Sequence, residues 1–199
     1  MTWLDALDAG APDVVAAYRG IEEGRFLSVR RQVRRRAGSE SAQRVATELA
    51  TLADALTAIV NRLPEAAFRA PGGEEDWNVA QAIGHDADAR AGLSMAGALA
   101  ARGRFPMSAS PVVPGVAGPA DASRASLHRR LTTSQHIVER AARSIAGHEA
   151  EPCPLEHPLV GRLRCGEWLL FAGVHDLMHL EQLHRLASAY VLEPAERSR

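Results

Sequence analysis

Apolar residues recur along this chain at alternating spacings of three and four, the period of a helix that buries one face. Val45, Leu49, Leu52, Leu56, Val60 and Leu63 form the first such stripe, bounded behind by 39–41 and ahead by Pro64. A second helix is expected from Asn78 to about Arg102, with Ala82, His85, Ala89, Leu93 and Ala96 inward. Its entry is marked by Pro71-Gly-Gly and by the acids Glu74, Glu75 and Asp76, which a helix N-terminus favours. A third runs from Asp121, read as its N-cap, to Ala146, with Leu127, Leu131, Val138, Ala141 and Ile145 inward and Gly147 as its stop. The fourth spans about Gly166 to Tyr190 without an internal proline, and its stripe reads Trp168, Phe171, Ala172, His175, His179, Gln182, Leu183 and Leu186.

Four helices of this length predict an all-α four-helix bundle. Between the second and third lies Gly103–Ala120, an 18-residue stretch with four prolines and three glycines, read as a lid, a crossover connection or a disordered segment. Residues 1–40 form an N-terminal helical extension, with Pro12–Glu23 the best helical candidate, and residues 41–199 form the bundle domain. No β-rich stretch of useful length is evident. The abundance of alanine, with only 5% aromatic residues, fits helices packed closely through small side chains.

Charge changes the picture little. The formal net charge is −1, giving no global bias toward nucleic acid or acidic membranes, so neither partner is expected. Arg30, Arg31, Arg34, Arg35 and Arg36 form one local basic cluster, read as a solvated or salt-bridged helix face. All 23 basic residues are Arg, with no Lys. No 18-residue apolar run or signal-like leader is present, so a cytoplasmic location is expected, and Cys153 and Cys165 are expected to be free thiols. Pro152, Pro154 and Pro158 mark the segment around Cys153, His148 and His157 as an irregular loop without ligand spacing.

The candidate chemistry lies in helix four. His175 and His179 are one helical turn apart, so both imidazoles leave the same face about 6 Å apart. On an apolar face they are either core histidines satisfied by carbonyls and hydroxyls, or two ligands of one cation whose other nitrogens bond to surrounding groups. A protease of the H-E-x-x-H type is disfavoured, because the position after the first histidine is Asp176 and not Glu. Among the other histidines only His85 lies on the inward stripe of another core helix, which makes it the geometrically sensible third ligand if a metal is bound. His128, His136 and His184 turn away. Three imidazoles with a position left open describe a catalytic-type centre, whereas structural zinc sites are closed by four protein ligands.

These residues carry a resemblance. Leu63-Pro-Glu-Ala, Trp77 followed eight positions later by His85, His157-Pro-Leu-Val-Gly161, and then His175, His179 and Gln182 in the pattern H-x-x-x-H-x-x-Q are similar to the DinB-like (YfiT-like) superfamily, over about residues 42–190. The resemblance implies a four-helix bundle with a long crossover, a homodimer, and a divalent ion such as zinc or nickel on His85, His175 and His179. It further implies a small-molecule substrate and, as cosubstrate, a low-molecular-weight thiol of the mycothiol, bacillithiol or glutathione class. Related members include thiol S-transferases and mycothiol-dependent maleylpyruvate isomerases. In that reading coordination lowers the pKa of a thiol, which then attacks an electrophilic carbon. The alternative is a metal-dependent hydrolase, for which Asp88, one turn beyond His85, and Asp176 are the nearest candidate catalytic bases. A third reading is a non-catalytic metal-binding dimer.

Overall fold

The computed structural model describes residues 2–22, 26–72, 76–106 and 115–192. Three short helices lead the chain: α1 (Trp3–Asp8), α2 (Pro12–Glu22) and α3 (Phe26–Arg36). The long helices follow as α4 (Ala42–Arg62), α5 (Val79–Ala101), α6 (Arg124–Ile145) and α7 (Cys165–Leu192), with a 3-10 turn at Glu65–Arg69 after α4. All four helices predicted from periodicity are present. The expected acids Glu74 and Glu75 lie outside the described residues, as does 107–114 of the long connection.

Local chemistry sets the helix ends. Pro64 cannot continue α4, and Leu63 caps it in an extended conformation. Asn78 and Gln81 form a reciprocal capping box at the start of α5, the Asn78 side chain accepting from the Gln81 N–H at 2.8 Å. The N-cap of α6 is Ser123 and not Asp121: the Ser123 hydroxyl accepts from the Ser126 N–H, while the Asp121 carbonyl is held by the Arg69 guanidinium in the preceding turn. Gly147, at φ +81°, takes the left-handed conformation that stops this helix.

Contacts between helix ends fix the topology. Asn78, at the start of α5, donates to Ala120 O beside the start of α6, and Arg130 of α6 pairs with Asp88 of α5. The two helices therefore run parallel, and the connection between them crosses back along the bundle. Ser41, at the start of α4, lies beside Glu149 and Gly166 at the start of α7, since Glu149 accepts from the Ala42 N–H and packs on Gly166. Helices α4 and α7 thus run one way, α5 and α6 the other. Leu49, Leu52, Leu56, Ile83, Leu127, Leu131, Trp168 and Phe171 fill the interior.

The crossover returns in contact with α5. Gly84 and Gly118 meet backbone to backbone: a Cβ on Gly118 would stand 2.7 Å from Gln81 O, Gly84 Cα and His85 N. Only glycine permits this approach, and the Gly118 N–H donates to Gln81 O at 3.1 Å. Gly118→Ala is expected to cost about 1–3 kcal/mol in chemical unfolding. It should also weaken metal binding through His85, whereas Gly115→Ala, whose Cβ would meet nothing within 4 Å, should leave both nearly unchanged.

The segment expected to be an irregular loop is a short hairpin, β1 (Pro152–His157) paired antiparallel with β2 (Gly161–Arg164). In a two-stranded ribbon each strand is an edge, so Pro152 and Pro154 can keep their nitrogens on the unpaired side. Pro158 begins the turn, and Gly161, at φ +68°, closes it with a residue in the left-handed region. The N-terminal helices dock on the bundle through buried ions. Glu48 of α4 accepts from the N–H groups of Asp13 and Val14 at 3.0 Å each, capping α2, and Glu167 of α7 pairs with Arg34 of α3. Arg36 pairs with Asp13, so part of the arginine cluster is salt-bridged as expected. Among the described residues, no helix is long and apolar enough to cross a membrane.

Candidate metal centre

His85 on α5 and His175 and His179 on α7 converge. Ring centroids are 5.2 Å apart for His85–His175 and His85–His179 and 4.6 Å for His175–His179, and one nitrogen from each ring falls within 4.8 Å of the other two. All three are half-buried, so the cluster lies at the edge of the interior with a side toward solvent.

The surrounding groups fix the tautomers. Val116 O, on the returning crossover, lies 2.8 Å from His85 Nδ1. A carbonyl can only accept, so His85 carries its proton on Nδ1 and presents the Nε2 lone pair. Gln182, one turn beyond His179, donates its amide to Gly72 O, which orients its Oε1 to accept from His179 Nδ1 at 2.9 Å. His175 Nδ1 faces the carboxylate of Asp86, 3.4 Å from Oδ1. Burial holds His175 below its ordinary pKa against the pull of Asp86, which keeps the ring neutral. Each ring thus has its Nδ1 bonded to or facing a neighbouring group, which turns Nε2 to the side on which the three rings converge. This donor set suits a divalent cation of the zinc or nickel kind.

Behind His175 lies a buried charge network that the sequence reading did not single out. Asp86 and Asp176 are fully buried, and Arg90 Nε lies 3.2 Å from Asp176 Oδ2. Arg90 also donates to Leu49 O at 2.9 Å and to Gln135 at 3.1 Å. Burial and the neighbouring Asp86 raise the Asp176 pKa well above its ordinary value, against the opposing pull of Arg90. Asp86 stays low despite its burial, because His175, His179 and Arg90 favour its charge. Arg90 is the cation that faces both carboxylates. Although Asp86, His175 and Asp176 also lie within ligand distance of one another, the guanidinium already supplies the positive charge there. Asp86→Asn, which removes the charge facing His175, is expected to weaken divalent-metal affinity by about 10- to 100-fold in a competition titration with a chelating dye.

The remaining candidates fall elsewhere. Asp88 is largely exposed and holds the Arg130 guanidinium with both oxygens at 2.8 Å, on the α6 side of α5. Asp176 is behind the cluster, not at its open side. His128 bonds to Asn61, His136 is exposed, and His184 stacks on Trp3, away from the trio. Cys153 and Cys165 are buried and unlinked; burial raises both thiols, Cys165 up to about 12, so neither supplies a nucleophile at neutral pH.

One further ring adjoins the trio. His157, at the end of β1, packs against Phe171 with centroids 4.8 Å apart, and Phe171 precedes His175 by one turn of α7. Burial, together with the nearby His175, lowers its pKa to about 4. Trp77 closes the other flank, 4.8 Å from the His85 ring.

No curated protein and no solved structure matches the chain. A family model described as the DinB superfamily matches residues 48–183, from within α4 to just past His179 and Gln182. With a bundle of this topology and a His85, His175, His179 cluster able to hold a metal, the chain belongs to the DinB superfamily.

Proposed function

We propose that the protein is a metal-dependent enzyme that transfers a low-molecular-weight thiol to an electrophilic small molecule. The observation that carries this reading is the convergence of three imidazoles from two helices, with one ring nitrogen of each within 4.8 Å of the other two. His85, His175 and His179 would hold the ion. An ion bound by three neutral donors keeps its full charge and an open position, where it lowers the pKa of a coordinated thiol so that thiolate is present near pH 7.

The protein's own groups do the rest. Val116 O, Gln182 and Asp86 keep the rings from turning, and Trp77 and Phe171 give the site apolar flanks that exclude water. Thiolate attack on carbon needs no general base, and the two carboxylates considered for that role are engaged elsewhere: Asp88 with Arg130, Asp176 with Arg90. This favours thiol transfer over hydrolysis.

The test is to incubate zinc- or nickel-loaded protein with monochlorobimane, with and without a panel of bacterial thiols. Metal- and thiol-dependent conjugation above the uncatalysed rate is the expected result. Ester turnover without thiol would point to the hydrolase, and no turnover with either, despite bound metal, to a binding protein.

A further inference from the structure

His157 stands apart from the other three rings by its tautomer. Its Nδ1 accepts from the Leu159 backbone N–H at 3.2 Å, inside the tight turn that Pro158 and Gly161 shape. A nitrogen that accepts carries no proton, so this neutral ring bears its hydrogen on Nε2. The three clustered rings are the reverse, protonated on Nδ1 and offering Nε2 lone pairs. His157 is accordingly excluded from ligation through Nε2 and is instead a hydrogen-bond donor.

The placement of that donor is specific. The ring rests edge-on against Phe171, at 66°, and also contacts Trp168, both on the face of α7 that carries His175 and His179. It is half-buried, and none of the described residues receives its Nε2–H. A hairpin turn and two aromatic rings thus fix the His157 ring against the face of α7 that carries the cluster, with no acceptor for its Nε2–H among the described residues. We propose that His157 is a ligand-contacting residue, donating Nε2–H to the anionic atom, thiolate or carboxylate, of a small molecule seated against the three-histidine cluster. This rests on the proposed metal-and-thiol reading, and gives it a specificity determinant on the hairpin.

The experiment uses cobalt(II)-loaded full-length protein, with 2-mercaptoethanol as the thiolate probe and its sulfur-to-cobalt charge-transfer band as the readout. Cobalt affinity is measured first. His157→Phe and His157→Gln should both bind cobalt within about threefold of the unaltered protein, and circular dichroism should show the same helical content. His157→Phe should then bind the thiol about 10-fold more weakly, the size expected for losing a charge-assisted hydrogen bond. His157→Gln, which keeps an N–H donor, should recover most of that loss. Equal thiol affinity in all three proteins would overturn the proposal, and so would loss of cobalt from both variants, which would make His157 part of the metal or folding machinery. Failure of the unaltered protein to bind cobalt, or to show the band, would instead refute the reading on which the proposal rests.

Discussion

Arg90→Leu should destabilise the protein by about 3–5 kcal/mol, the cost of removing one partner from a buried ion pair. Arg90 and Asp176 are both fully buried, and the guanidinium is the cation facing the buried negative charge of the Asp86 and Asp176 pair. Its replacement strands that charge and removes the donors to Leu49 O and Gln135. Chemical unfolding monitored by circular dichroism measures the loss. Arg90→Leu combined with Asp86→Asn and Asp176→Leu should be markedly less unstable than Arg90→Leu alone, because an apolar replacement of a whole buried network can approach neutrality. If the single variant loses less than about 1 kcal/mol, the account of this network is wrong.

Replacing any one of His85, His175 or His179 by Ala should lower divalent-metal affinity by at least about 100-fold, beyond the 10- to 100-fold typical of losing a group that only orients a ligand. In parallel, metal should raise the melting temperature of the unaltered protein and leave that of the variants almost unmoved, since stabilisation follows occupancy of the folded state. His136→Ala, on the exposed face of α6, is the matched control and should behave as the unaltered protein does. Similar affinities in all five proteins would remove the trio from the metal's coordination.

Much of this arrangement was legible in the chain because the helical period is strong. The stripe from Val45 to Leu63 and the run from Trp168 to Leu186 each declared a helix and its inward face, and the inward face is what placed His85 with His175 and His179. Ends were less legible. Asp121 and Ser123 are both good caps, and the choice fell to Ser123 because Arg69, distant in sequence, holds the Asp121 carbonyl. The hairpin was hidden by its prolines, which a ribbon of two edge strands tolerates better than the interior of a sheet. Asp86 and Arg90 were missed because charged residues on a helix read as solvated. A signal was present: the dipeptide His-Asp occurs at 85–86 and again at 175–176, and in each case the histidine faces the cluster while the aspartate turns into the buried network behind it. The contact of Val116 O with His85 lay beyond sequence reading, since it depends on two glycines, Gly84 and Gly118, meeting where the crossover returns against α5.

The central claim is tested most directly by crystals of the protein purified without chelator and supplied with zinc or nickel, with diffraction collected on either side of the metal's absorption edge. The account predicts one strong anomalous peak about 2.0–2.1 Å from Nε2 of His85, His175 and His179. An absent peak, or one seated between Asp86 and Asp176 in place of the three rings, would contradict it.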